Sequence, residues 1–315
     1  MASFDLSLAE LKKYKPGLTR EKDFGAFWKR TLDESSGQPL NAKLEKISHP
    51  ARGVNCYELT YDGYKNGKIR GWYILPAGKK RIPAIIQFHG YNGRSDGIFA
   101  YLAWVYQGYA FLALNVRGQE GSSTDGNEYP VPTGMHCLTK GIGSPETYFY
   151  RFAYADCARA VEFLHSRKEI DPKRIALTGA SQGGGLTLAT SALCGKKIKL
   201  AAAHIPFLCN FPRNVDIAPE YPYPEISDFL TINPKMKEAA FRTLSYFDCM
   251  NLSPEITSRT LVTSGLQDGI CPPSGIFSAY NHMKCEKEIL AYDYLKHDVR
   301  DYIFEETFAW MKKYL

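Results

Sequence analysis

The chain has 315 residues, 44% hydrophobic and 23% charged, which is ample material for the core of a soluble globular protein. Its formal charge of +6, from 39 basic and 33 acidic residues, is a weak bias carried by scattered clusters such as Lys79-Lys80-Arg81, so a nucleic-acid stripe is excluded. No apolar run approaches the length of a membrane span, and the amino terminus lacks a signal-peptide pattern, so a cytoplasmic protein is expected.

Residues 1–40 read as a helical extension in which Phe24, Phe27 and Trp28 recur at helical spacing and pin the segment to the body. Three strand-like segments follow at 43–49, 55–61 and 69–75. The turn signals Asp62-Gly63 and Asn66-Gly67 between them predict an antiparallel meander at one sheet edge. From residue 82 the pattern changes. Apolar strands are predicted at 82–88, 110–116, 175–178, 200–205, 260–264 and 289–294. Helices are predicted at 97–107, 146–167, 182–194, 233–244, 273–284 and 301–314. Buried strands separated by helices imply a mostly parallel, doubly wound α/β sheet over one domain, 1–315. The Gly- and Pro-rich stretch 118–145 is too long for an ordinary connection and reads as functional, mobile or part of an interface. Eight cysteines show no C-x-x-C pair and no histidine at metal spacing, so they read as core residues in a reducing compartment.

The chain is organised around Gly179-Ala180-Ser181-Gln182-Gly183. An apolar strand precedes it and a small-residue helix follows. An N-cap serine at a Gly-rich helix start is the plain reading of such a pattern. The strand-to-helix context favours a nucleophile elbow of an α/β-hydrolase, because glycines on both sides relieve the crowding of that turn. Such a serine needs a base, an orienting acid and an oxyanion hole, in the order Ser, Asp or Glu, His. His282 falls inside a helical pattern and reads as structural, whereas His297 follows the last strand, at the carboxyl edge of the sheet. Asp268 follows the strand 260–264 and is the favoured acid. Asp293 reads as mid-strand, Asp298 adjoins His297, and Asp248 has no strand to project it.

The oxyanion donors are the backbone N–H groups of Gln182 and of Tyr91, in the loop Phe88-His89-Gly90-Tyr91. Each is worth roughly 3–4 kcal/mol to the developing charge. His89 reads as structural, at a tight strand end. His297 would take the Ser181 proton, the serine would attack an ester carbonyl, and water would release the acid. This chemistry requires no metal or organic cofactor.

With these residues placed, the chain resembles the cephalosporin-C deacetylase / acetyl xylan esterase family (carbohydrate esterase family seven) over nearly its whole length. The resemblance is carried by Phe27-Trp28, Gly90-Tyr91-Asn92-Gly93, Arg117-Gly118-Gln119, Ser181-Gln182-Gly183-Gly184-Gly185 and Cys271-Pro272-Pro273-Ser274. It implies Ser181, Asp268 and His297 as the triad, and Tyr91 and Gln182 as oxyanion donors. It further implies deacetylation of acetylated xylo-oligosaccharides and of cephalosporin C by a cytoplasmic homo-oligomer, commonly a hexamer. In that likeness 118–145 is a projecting interface loop, and Pro222 of Tyr221-Pro222-Tyr223 lines the acyl pocket beside Tyr91. One departure is His297-Asp298 where the family usually has His-Glu. Arg117 reads as one half of a structural ion pair. Trp104, Tyr148, Phe149 and Tyr150 read as core or interface rather than as a sugar platform. Other readings are a prolyl peptidase or dienelactone hydrolase on the same fold, or a catalytically silent binding protein. The first lacks its usual extra domain, and the second normally has cysteine at the Ser181 position.

Overall fold

A computed structural model describes residues 5–130 and 136–315. Part of the predicted interface loop, 131–135, therefore lies outside the described residues, as do residues 1–4 of the extension.

One sheet organises the chain. Its strands are β1 (Lys43–Ile47), β2 (Val54–Asp62), β3 (Gly67–Pro76), β4 (Ile82–Phe88), β5 (Ala110–Leu114), β6 (Thr124–Asp125), β7 (Ile170–Ala180), β8 (Leu200–His204), β9 (Arg259–Gly265) and β10 (Lys287–Tyr292). They run in the order β1-β2-β3-β5-β4-β7-β8-β9-β10, with β6 paired to β3. The pairs β1–β2, β2–β3, β3–β5 and β3–β6 are antiparallel, and every pair from β5 to β10 is parallel. The chain steps from β4 outward to β5 and then back across to β7. That reversal opens a crevice at the carboxyl ends of β4 and β7, where open α/β sheets bind ligands.

The helices are α1 (Leu8–Leu11), α2 (Phe24–Ser36), α3 (Leu102–Tyr106), α4 (Phe149–His165), α5 (Gln182–Cys194), α6 (Phe211–Ile217), α7 (Pro224–Ile232), α8 (Lys237–Ser245), α9 (Cys249–Leu252), α10 (Pro273–His282) and α11 (Asp301–Tyr314). The parallel strands alternate between the two faces. Along β4, Ile82, Ala84, Ile86 and Phe88 join a core with α2, α4 and α5, whereas Ile85 joins a second core with α3 and α11. Both faces are thus covered, as a parallel sheet demands. The α2 extension is pinned as expected: Phe24, Phe27 and Trp28 are buried, and Trp28 Nε1 donates to Tyr246 O at 2.8 Å. Tyr148, Phe149 and Tyr150 are fully buried core residues.

The boundaries differ in places from the expectation. The 97–107 helix is a 3-10 turn (Ile98–Tyr101) followed by the short α3. The last strand ends at Tyr292, so Asp293 is not mid-strand but exposed just beyond it, its backbone O accepting from Gln267 Nε2. Helices α6 and α7 lie in a stretch where the sequence pattern predicts no helix. Each begins with a proline at its first positions, and further prolines at 219 and 222 break the periodicity between them.

Candidate active site

Ser181 sits between β7 and α5 with φ 58° and ψ −119°. This is a strained conformation for a residue with a side chain, costing about 1–3 kcal/mol, and the surroundings hold it. Its N–H donates to His204 O at 2.9 Å, and its C=O accepts from Gly185 and Phe207 N–H at 3.0 and 2.9 Å. The turn is so tight that a Cβ at Gly183 would sit 2.0 Å from Phe88 O, and one at Gly179 would sit 2.6 Å from the same oxygen. The elbow glycines are therefore required by the approach of β4 to the start of α5.

Asp268 and His297 are brought together. His297 Nδ1 lies 2.8 Å from Asp268 Oδ2. Asp268 is fully buried, and its other oxygen accepts from the Ile270 and Cys271 N–H groups at 2.9 and 2.8 Å. The carboxylate is thus oriented by its own turn. The histidine loop packs directly on Gly265, where a Cβ would lie 2.4 Å from Leu295 O. With Nδ1 facing a carboxylate, the ring carries its proton there and leaves Nε2 as the acceptor. The hydroxyl of Ser181 lies beside the buried Cys271 thiol, and among the described residues no hydrogen bond joins it to the His297 ring. Burial pushes that thiol pKa up, so Cys271 is held neutral and is not a competing nucleophile. Asp268, Cys271 and His297 also offer ligand-type atoms within 4.8 Å of one another. They are the one such group among the described residues, and the Asp268–His297 hydrogen bond already engages two of its members.

Tyr91 and Gln182 both stand at this crevice. Tyr91 is anchored from two sides: its hydroxyl donates to Glu225 Oε2 of α7 at 2.8 Å and accepts from Leu138 N at 2.9 Å. Burial raises the Glu225 pKa, and the Tyr91 hydrogen bond opposes that shift. Gln182 is fully buried at the first position of α5. Its side-chain oxygen accepts from Gln119 Nε2 at 2.8 Å and from Tyr150 OH at 2.9 Å, and its Nε2 donates to Gln119 Oε1 at 3.0 Å. A longer contact of 3.4 Å reaches Gly90 O. The amide therefore ties the elbow to the loops after β4 and β5 and to α4. Pro222 is buried in the segment beside the Asp268 turn, where Glu220 N–H donates to Gly269 O at 3.3 Å.

The remaining candidates are structural. Arg117 is fully buried; Nε and Nη2 bind the two oxygens of Asp156 at 2.6 and 2.8 Å, and Nη1 reaches Asp125 at 3.3 Å. His282 Nε2 lies 2.7 Å from Pro16 O and ties α10 to the extension. His89 donates from Nδ1 to Gly90 O at 2.7 Å and accepts from Val116 N at 2.8 Å. Its burial lowers its pKa. Asp248 caps α9 and accepts three N–H groups, from Asn210, Phe211 and Met250, while burial pushes it up to about 6. Asp298 pairs with Arg300 at 2.6 Å. The side-chain partners of Gln182 and Tyr91 had no signal in the sequence, because each lies dozens of residues away.

Known proteins place this chain in a family. The acetyl xylan esterase (AXE1) family matches residues 1–314. An acetyl xylan esterase from Paenibacillus sp. R4 superposes with a TM-score of 0.96 at 39% identity, covering 98% of this chain and 100% of its own. Acetyl xylan esterase 1 from Thermoanaerobacterium sp. JW/SL YS485 gives 0.94 at 30% identity, over 98% and 99%. Acetyl esterase Axe7A of Xylanibacter ruminicola is 25% identical over 306 residues, 95% of this chain and 68% of its own length. More distant α/β-hydrolases, such as GrgF from Penicillium sp. sh18 at 19% identity and a TM-score of 0.56, share the fold alone. The chain belongs to the acetyl xylan esterase family and is a carboxylic ester hydrolase.

Proposed function

We propose that Ser181, His297 and Asp268 remove acetyl groups from acetylated xylo-oligosaccharides through an acetyl-serine intermediate, and that cephalosporin C is a second substrate. One observation carries the reading: a histidine held by a buried carboxylate at 2.8 Å groups with the Cys271 thiol, and that thiol lies beside a serine on a strained strand-to-helix turn. In this reading His297 Nε2 takes the Ser181 proton as Oγ attacks the acetyl carbonyl. The hydroxyl turns from beside Cys271 to meet the imidazole, since catalytic hydrogen bonds that are long at rest tighten when substrate arrives. The Gln182 and Tyr91 N–H groups hold the oxyanion, with the positive end of α5 behind the first of them. His297 then protonates the departing sugar hydroxyl, and a water repeats the sequence to release acetate. Asp268 fixes the imidazole tautomer and stabilises its charged form.

Pro222 lines the acyl side of the site, and copies of the chain assemble through 118–145; light scattering of the purified protein measures that assembly. The functional test is acetate release from acetylated xylo-oligosaccharides and from cephalosporin C, by the native enzyme and by Ser181→Ala. Release from both, abolished in the variant, supports the reading. Release from neither, or release that survives the substitution, overturns it.

A further inference from the structure

We propose that a groove between the loops after β4 and β5 is a carbohydrate subsite, which holds sugar units flanking the acetylated one. The inference rests on the esterase reading above. The groove encloses about 650 Å³, within the size range of small-ligand sites. Its floor is a cross-strand pair, Glu58 of β2 opposite Trp72 of β3, and its walls are residues 94–97 and 120–122. Both walls are continuous along the chain with residues placed at the catalytic site. The first follows Tyr91, and the second follows Gln119, which grips the side chain next to Ser181.

The groove is built, not incidental. Asn115 is nearly fully buried beneath it and joins the two walls. Its Oδ1 accepts from Ser95 N and Oγ at 2.8 and 2.9 Å, and its Nδ2 donates to Ser122 Oγ at 3.3 Å. Gly121 lets the second wall close down, since a Cβ there would lie 2.5 Å from Asn115. Trp72 is half-buried, and its Nε1 donates to Asp96 O at 3.0 Å, which fixes the indole plane at the floor.

The lining selects a ligand class. An indole offers an apolar surface to the C–H face of a pyranose, while carboxylates and hydroxyls beside it take hydrogen bonds from the sugar hydroxyls. Among the lining residues Glu58, Asp96 and Glu120 outnumber Arg94, and even with Arg70 paired to Glu58 at 3.7 Å the carboxylates remain in excess, so a phosphate or other anion is disfavoured and a neutral polyol fits.

The test compares kcat/KM on an acetylated xylotetraose with that on p-nitrophenyl acetate, which has no sugar to fill the groove. Trp72→Ala removes the platform. Trp72 also packs against the core under β3, so Ser122→Trp, at an exposed wall position, provides a second variant that blocks the groove from above. In each variant the ratio of the two kcat/KM values is expected to fall about tenfold, mainly through KM on the oligosaccharide. A ratio within about twofold of the native one in Ser122→Trp overturns the subsite. If the native enzyme cleaves p-nitrophenyl acetate but releases nothing from the oligosaccharide, the substrate reading itself fails. Cleavage of both with an unmoved ratio removes the subsite alone.

Discussion

The Gln182 side chain does two jobs at once, and a double-mutant cycle with Gln119 separates them. Three of its hydrogen bonds are of ordinary length, two with Gln119 and one with Tyr150. At about 1 kcal/mol each, their loss in Gln182→Ala costs about 3 kcal/mol of stability. The fully buried Tyr150 hydroxyl is then left without that partner, which adds about 1 kcal/mol or more. Gln119→Ala removes only the two mutual bonds and costs about 2 kcal/mol. Gln119 is half-exposed, so once Gln182 is gone its amide turns to water and its removal costs almost nothing further. The double variant should therefore be about as stable as Gln182→Ala alone, a coupling of about 2 kcal/mol. Urea unfolding of the four proteins at one pH measures it. The same substitutions release the loops that flank Ser181, so kcat on p-nitrophenyl acetate should fall in both single variants. Stability losses that add within about 0.5 kcal/mol would refute the bridge between elbow and loop.

Three further outcomes follow from the same geometry. In Asp268→Asn the amide oxygen stays with the Ile270 and Cys271 N–H groups and presents its NH2 to His297, forcing the wrong tautomer. kcat should drop by roughly 10⁴ while the melting temperature changes little, as activity and thermal scans would measure. Arg117→Met strands the buried Asp156 carboxylate and should cost about 3–5 kcal/mol in urea unfolding, most of which a second substitution, Asp156→Asn, restores. His204 is buried at the end of β8, and burial lowers its pKa from 6.5 to about 4. The unfolded chain therefore binds a proton between these values that the folded chain does not. Stability from this group is complete above pH 6.5 and is lost as pH falls toward 4, by about 3 kcal/mol in all. A pH series of unfolding curves should be flatter in that window for His204→Gln than for the native enzyme.

Much of the architecture is legible in the residues because the signals are local. The apolar runs that became β4, β5 and β8 are bounded by turns, and each needs both faces covered. The elbow is equally local, since its glycines answer to contacts made within one turn. Asp268 and His297 could be placed because each follows a strand, so sheet topology brings them to one edge. What stayed hidden depends on distance along the chain or on proline. Helices α6 and α7 open with prolines that blur a helical period. The partners of Arg117 lie 8 and 39 residues ahead, and no pattern in the sequence ties them to it. Arg117-Gly118-Gln119 and Ser181-Gln182 each stand out as motifs, but only folding reveals that the two glutamines grip one another. The same is true of Glu225 behind Tyr91, and of Cys271 against Ser181.

In the proposed reaction Ser181 carries the acetyl group between substrate and water. Rapid acid quench of the enzyme with excess p-nitrophenyl acetate, followed by peptide mass spectrometry, tests it most directly. A single acetyl group on the peptide containing Ser181, absent in Ser181→Ala, is the predicted result. An unmodified Ser181 peptide together with acetate release by Ser181→Ala at the native rate would contradict it.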